Sequence, residues 1–87
     1  MIVREYVLDP GEFIPWHHHT EMSDRFYGLE GTTVVEMREP PVRHELHAGD
    51  TALVNAGPVH HVSNASGGAC RFLLVQGVGQ YDFLKEV

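Results

Sequence analysis

Short runs rich in β-branched and aromatic residues alternate with clusters of turn-forming residues along the whole chain. The candidate strands are residues 2–8, 13–19, 25–29, 33–38, 42–47, 51–54, 60–64 and 71–76, with a shorter candidate at 81–84. No segment of helical length repeats its apolar residues with the helical period of about 3.6 residues. Turns spaced at roughly 8–12 residues are typical of sandwiches and barrels. We therefore predict an all-β fold, an antiparallel jelly-roll β-barrel.

Histidines occur in two of these strands with a spacing that suits metal binding. Successive side chains of a strand alternate faces, and positions i and i+2 stand about 6.5 Å apart on one face. His17 and His19 can therefore converge on one ion, whereas His18 points the other way. Two neutral imidazoles on one face can both make metal–nitrogen bonds of about 2.0–2.1 Å. His60 offers a third ligand, because a glycine-proline turn precedes it and lets a new strand begin there.

The two segments resemble the two sequence motifs of the cupin superfamily. The first motif runs Gly, five residues, His-x-His, three or four residues, Glu, six residues, Gly, and the chain has at those spacings Gly11, His17, His19, Asp24 and Gly31. The second motif runs Gly, five residues, Pro-x-Gly, two residues, His, three residues, Asn, and the corresponding residues are Gly49, Asn55, Gly57, His60 and Asn64. Since glycine occupies a given position by chance only about 7% of the time, several glycines and histidines in register are not a coincidence.

The resemblance implies a cupin-like double-stranded β-helix that binds one divalent transition metal per chain. Its predicted ligands are His17, His19, Asp24 and His60. Asp24 stands where the family usually has a glutamate, so either the backbone comes closer, or a water bridges the shorter carboxylate to the metal, or three histidines bind alone. Glu21 is an alternative ligand, although the spacing to the glycine at position 31 favours Asp24. Such ligands suit Fe, Mn, Ni, Co or Zn and do not select among them.

The remaining histidines and the single cysteine are expected to have structural roles. His44 and His47 are three residues apart, hence on opposite faces of a strand, and have no motif partner. His18 and His61 adjoin the predicted ligands but point away from them. Cys70 is expected to be a small buried apolar residue. With one cysteine no intramolecular disulfide can form, which favours a reducing, intracellular compartment.

Charge and length indicate which partners, location and domain organisation to expect. The formal net charge is −6, from 6 Lys and Arg against 12 Asp and Glu, and this charge repels phosphate backbones and anionic lipid surfaces. No apolar run approaches the roughly 20 residues that span a bilayer, and the N-terminus does not resemble a signal peptide. We predict a cytoplasmic protein with no nucleic acid and no membrane partner. Residues 1–87 are expected to form a single domain, stabilised by the metal and by a homodimer.

Strand alternation also predicts what surrounds the metal. If Asp24 points inward, Phe26 and Gly28 do so as well, which makes the wall beside the metal apolar, while Tyr27 and Leu29 point outward. The outward pair is expected to form core between the two sheets, with a dimer face as the alternative.

Two functions fit these residues. The first is a metal-dependent enzyme, an oxygenase, isomerase or lyase, that acts on a small metabolite, as many single-domain cupins do. The alternative is a non-catalytic module that binds or senses a metal or a small-molecule ligand in the same pocket. No Ser-His-Asp or Cys-His arrangement, phosphate-binding glycine loop or dinucleotide fingerprint competes with these readings. The sequence favours the enzyme, without assigning the reaction or its catalytic residues.

Overall fold

Two antiparallel sheets make up the protein in a computed structural model that describes residues 1–86. The strands are β1 (Ile2–Leu8), β2 (Phe13–His18), β3 (Asp24–Glu30), β4 (Thr33–Arg38), β5 (Pro41–Leu46), β6 (Thr51–Val54), β7 (His60–Asn64), β8 (Cys70–Gln76) and β9 (Leu84–Lys85). Each lies within a residue or two of its predicted position, except that β9 begins three residues later than its predicted strand. Among residues 1–86 there is no helix long and apolar enough to cross a membrane.

The chain passes repeatedly from one sheet to the other. One sheet has the strand order β1-β8-β3-β6 and the other the order β5-β4-β7-β2-β9. Neighbouring strands in both sheets run antiparallel. Most neighbours are distant in sequence, so hydrogen bonding within each sheet ties together remote parts of the chain. This arrangement confirms the predicted all-β jelly roll.

The core lies between the sheets and is built by strict alternation. In β8 the buried side chains are Cys70, Phe72, Leu74 and Gln76, and the residues between them are only half-buried. The Phe72 ring lies 5.7 Å from the ring of Phe26. Cys70 is fully buried, as predicted. The other core side chains come from both sheets: Leu8, Val35, Leu46, Ala52, Val54 and Val62.

The outward side chains of β3 correct one expectation. Phe26 and Gly28 face the interior and Tyr27 faces outward, as alternation predicts. However, Tyr27 is 38% exposed, and Leu29 is only half-buried. The prediction that this pair forms core between the sheets is therefore wrong, because the inward side chains already fill that space.

An irregularity in β2 decides which way its histidines point. Ile14 pairs with Val62 and His17 pairs with His60, so β2 uses one more residue than β7 between these two pairs. Such a bulge reverses the parity of the strand, and both Ile14 and His17 face the interior although three positions separate them. Pro15 lies in the bulge, where a residue without an N–H group is tolerated.

Candidate metal centre

The four predicted ligands meet inside the barrel. One potential ligand atom from each of His17, His19, Asp24 and His60 lies within 4.8 Å of the other three, and all four residues are buried. His19 belongs to this group although β2 ends one residue before it. Glu21, the alternative to Asp24, is exposed and lies outside the group; its carboxylate accepts a hydrogen bond from the backbone N–H of Gln80.

Each of the three imidazoles is oriented by a backbone carbonyl. The Nδ1 atom of His17 lies 2.6 Å from the carbonyl oxygen of Pro15, within the β2 bulge. The Nδ1 atom of His60 lies 3.0 Å from the carbonyl oxygen of Pro58, in the turn that precedes β7. The Nδ1 atom of His19 lies 2.5 Å from the carbonyl oxygen of Asp82, near the C-terminus. All three rings therefore direct Nε2 toward the interior.

These contacts fix the protonation of the rings. A carbonyl oxygen only accepts hydrogen bonds, so each Nδ1 carries the hydrogen, and Nε2 of a neutral ring is then a bare lone pair. Yet Nε2 of His19 and of His60 lie 3.1 and 3.0 Å from Oδ2 of Asp24, which as a carboxylate oxygen also only accepts. Two lone pairs facing a carboxylate require positive charge between them, supplied by extra protons or by a metal ion. The donor set therefore fits a metal, with the carbonyls as the outer groups that orient metal-binding histidines.

Asp24 is an ionised carboxylate despite its burial. Burial favours its neutral form, but the contacts of Oδ2 with His19 and His60, which become hydrogen bonds when those rings take up a second proton, and the hydrogen bond from Gln76 outweigh that effect and hold the pKa of Asp24 well below its usual range. The Gln76 contribution is a hydrogen bond of 3.1 Å from Nε2 to Oδ1. The site thus keeps a buried negative charge, which is what a cation requires.

The histidines differ in their affinity for protons. Burial lowers the pKa of His17 to about 4, helped by charge repulsion from the other two imidazoles and opposed by the Pro15 carbonyl. For His19, burial acts in the same direction, but the hydrogen bonds to Asp24 and to the Asp82 carbonyl outweigh it and raise the pKa. His17 is therefore neutral at pH 7, the form in which imidazole binds a metal.

Comparison with known proteins agrees with this geometry. The cupin domain family matches residues 4–76. The chain belongs to the cupin family. Among proteins with curated descriptions, none matches it.

Several solved structures share the fold of this cupin. The polyketide cyclase RemF from Streptomyces resistomycificus superposes with a TM-score of 0.81 at 24% identity, over 97% of this chain and 58% of the cyclase. A Klebsiella pneumoniae protein with a double-stranded β-helix domain gives 0.82 at 27% identity, over 98% of this chain and 74% of that one. A Thermus thermophilus protein superposes with a TM-score of 0.72 at 33% identity, over 83% of this chain and 67% of that protein. The cupin thus spans little more than half the length of the cyclase.

A small cavity in this cupin adjoins three of the four predicted ligands, His17, His19 and Asp24. Its volume is about 40 Å³, and apart from the ligands its walls are Tyr6, Ile14, Phe26, Val62, Leu74, Gln76, Tyr81 and Phe83. The predicted apolar wall is confirmed, with Phe26 beside the site. Within residues 1–86, the Oε1 atom of Gln76 is buried without a hydrogen-bond partner. A larger, open groove of about 350 Å³ near Pro58 is lined by none of the four ligands.

The neighbouring histidines point away from the site, as predicted. Nδ1 of His18 lies 3.0 Å from a carboxylate oxygen of Glu86. The ring of His61 lies against the rings of Phe13 and Trp16, at 5.3 and 5.1 Å between centroids. These contacts give both histidines structural roles on the outer surface.

The motif residue Asn64 and the two histidines outside the motifs also have structural surroundings. The Asn64 side chain donates hydrogen bonds to the carbonyls of Leu8 and Gly68, at 2.9 and 2.8 Å. His47 is exposed beside Asp50 and His44 is half-buried, outside the cavity.

Sequence reasoning missed the residues that surround the ligands. Gln76 follows the alternation of β8, and its inward position was recoverable from that pattern. Tyr81, Asp82 and Phe83 belong to the candidate strand 81–84, but no local pattern indicates where that segment lies, because its place depends on contacts with residues about 60 positions earlier.

Proposed function

We propose that this cupin binds one divalent transition metal through His17, His19, Asp24 and His60, and that the loaded site acts on a small metabolite. The observation that supports this proposal most directly is the convergence of four potential ligand atoms, from four buried residues, within 4.8 Å of one another. The orientation of the rings supports it, since two Nε2 lone pairs face an ionised carboxylate. Imidazole and carboxylate ligands fit Fe, Mn, Ni, Co or Zn.

The chain supplies groups that can bind and orient a ligand beside the ion. A bound metal would polarise a coordinated oxygen or activate a water molecule. The free Oε1 of Gln76 can accept a hydrogen bond from a ligand, because Nε2 of the same amide is engaged by Asp24. Phe26 and Leu74 add apolar surface to the same cavity. This combination suits a small molecule with one metal-binding oxygen, a hydrogen-bond donor and an apolar body.

The enzyme is the first candidate, with oxygenase, isomerase and lyase chemistry open to it. RemF shows that this fold accommodates catalysis in another protein. A non-catalytic module that binds or senses a small molecule or metal is the second candidate. One observation favours it: a cavity of about 40 Å³ is large enough for only a few water molecules.

Replacing His17 with alanine is expected to separate these candidates. If the protein is an enzyme, the metal-loaded wild type converts a small-molecule substrate over many cycles, and His17→Ala lowers the rate at least about 100-fold, as loss of a principal electrostatic group does. His61→Ala is the matched control, since His61 faces outward and lies against the rings of Phe13 and Trp16. Turnover is measured on a panel of small carboxylates, enols and phenols. Stoichiometric binding without product would support the binding module instead.

Replacing Asp24 with asparagine is expected to weaken metal binding at least about tenfold, because it removes the negative charge that faces two imidazoles. Glu21→Gln is the control and is expected to leave affinity unchanged, since Glu21 lies outside the group of ligands and glutamine keeps an oxygen that can accept the hydrogen bond from Gln80. Competition with a chromogenic chelator measures both affinities. Equal affinity in Asp24→Asn and wild type would indicate a three-histidine site.

The homodimer predicted from sequence stays a prediction. Its support is the outer face of the β1-β8-β3-β6 sheet, where several large apolar side chains are exposed: Val3, Val7, Tyr27 and Leu53. A second copy of the chain could cover this face, which lies on the side of the sheet opposite the candidate metal centre.

A further inference from the structure

The C-terminal segment forms one wall of the candidate metal centre. We call residues 77–86 the strap. The family match ends at residue 76, so the strap lies beyond the part of the chain that matches the cupin family. Two of its side chains, Tyr81 and Phe83, line the 40 Å³ cavity.

The strap contacts the predicted ligands through aromatic rings. Phe83 stacks on His17 with 4.1 Å between ring centroids and 14° between planes. Tyr81 lies 5.9 Å from the ring of His19. The guanidinium of Arg4 lies 5.3 Å from the centroid of the Tyr81 ring. The strap therefore places two aromatic rings directly against the predicted ligands His17 and His19.

Asp82 makes the most specific contact of the strap. Its carbonyl oxygen accepts the hydrogen bond from Nδ1 of His19, at 2.5 Å. Its carboxylate accepts two more, from the backbone N–H of Thr20 at 3.0 Å and from Oγ1 of Thr20 at 2.5 Å. The carboxylate thus fastens the strap beside His19, and the carbonyl orients the ring.

The remaining attachments of the strap among residues 1–86 are few, and one of them is the hydrogen bond from the backbone N–H of Gln80 to the carboxylate of Glu21. β9 contains two residues and, in the part of the chain that the structure describes, pairs only with His17 and His18. The backbone N–H of Glu86 donates to the carbonyl of Trp16 at 2.8 Å. At the other end, the N–H of Gly77 donates to the carbonyl of Ser23 at 3.0 Å. A segment with so few backbone hydrogen bonds opens at a lower free-energy cost than the strands of the barrel.

We propose that Asp82 is a positioning residue for His19, so that closure of the strap and binding of the metal stabilise each other. When the strap is closed, His19 has its Nδ1 acceptor and presents Nε2 to the ion. When the strap is open, the acceptor is lost and the ring is free to rotate. By thermodynamic reciprocity, a metal that binds the closed form better also holds the strap closed. This inference rests on the proposed metal site.

Zinc titration of strap variants tests the inference. Asp82→Ala removes both bonds to Thr20, and we expect zinc affinity to fall about 10–100-fold, as for other residues that orient a metal ligand. Thr20→Val removes only the hydroxyl bond, so its loss is smaller. The control is Asp50→Ala: this carboxylate also accepts a backbone N–H, from His47 at 2.9 Å, in a turn that does not line the cavity. We expect the control to match the wild type.

Hydrogen exchange of the strap amides provides a second readout that a purely structural role would not change. Zinc should slow exchange of residues 77–86 in the wild type and should slow it less in Asp82→Ala. If the wild type binds zinc and Asp82→Ala binds it equally well, or if zinc leaves strap exchange unchanged, the positioning role is wrong while the metal site stands. If the wild type takes up no zinc, the metal site itself is wrong, and the positioning role falls with it.

Discussion

Replacing His60 with alanine is expected to abolish stoichiometric metal binding, whereas replacing its neighbour His61 is expected to leave it intact. His60 is buried and places Nε2 3.0 Å from Asp24, while His61 lies on the outer surface between Phe13 and Trp16. A zinc site of four ligands binds with about 10–16 kcal/mol, so an average ligand contributes roughly 3 kcal/mol, a loss of more than about 100-fold in affinity. The two substituted residues are adjacent in sequence, and their side chains lie on opposite faces of β7.

Elemental analysis of untagged protein measures the result as metal per chain. We expect nearly one ion in the wild type and in His61→Ala, and none in His60→Ala after dialysis. The identity of the ion would also narrow the chemistry, since iron points to oxygen chemistry and zinc or manganese to isomerase or lyase chemistry. Wild-type protein that stays free of metal after reconstitution with these ions would contradict the site and leave a jelly-roll binding module as the better account.

The convergence of the histidines could be predicted because the relevant physics is local, whereas Asp24 was predicted only through the resemblance to the cupin motif. Alternation places His17 and His19 on one face regardless of how the rest of the chain folds. The bulge at Pro15 could not be predicted, because alternation gives the direction of a side chain only within an uninterrupted strand. Without that extra residue, Ile14 and His17 would face opposite ways, and one of them would leave the interior.

The strap and the outer face of the β1-β8-β3-β6 sheet depend on long-range contacts, which local sequence patterns do not predict. Asp82 contacts Thr20 and His19, which lie 62 and 63 positions earlier in the sequence. No pattern in the residues next to Asp82 predicts this placement. For Tyr27, alternation correctly predicts an outward side chain, yet whether anything covers that side depends on the second sheet or on a partner chain. Local periodicity therefore predicts the direction in which a side chain points, and long-range packing determines what the side chain contacts there.

Gly28→Ala is expected to lower the free energy of unfolding by about 3 kcal/mol, the upper end for overpacked sites. A Cβ atom at Gly28 would lie 2.3 Å from the carbonyl oxygen of His47 and 3.0 Å from its carbonyl carbon. Neither segment can move away freely, because Gly28 N–H donates to the carbonyl of Asp50 and Gly49 N–H donates to the carbonyl of Gly28, both at 2.9 Å.

The control for that substitution is Gly67→Ala, since a Cβ atom there meets no atom within 4 Å and the backbone conformation is one that alanine adopts. We expect its stability to change by less than about 1 kcal/mol. Urea unfolding in the presence of a chelator measures both variants. Because Gly28 and Asp24 share β3, a shift of that strand would also displace a predicted ligand, so added metal should restore less stability to Gly28→Ala than to the control. Equal unfolding midpoints for the two variants would contradict the close approach of β3 to the turn after β5.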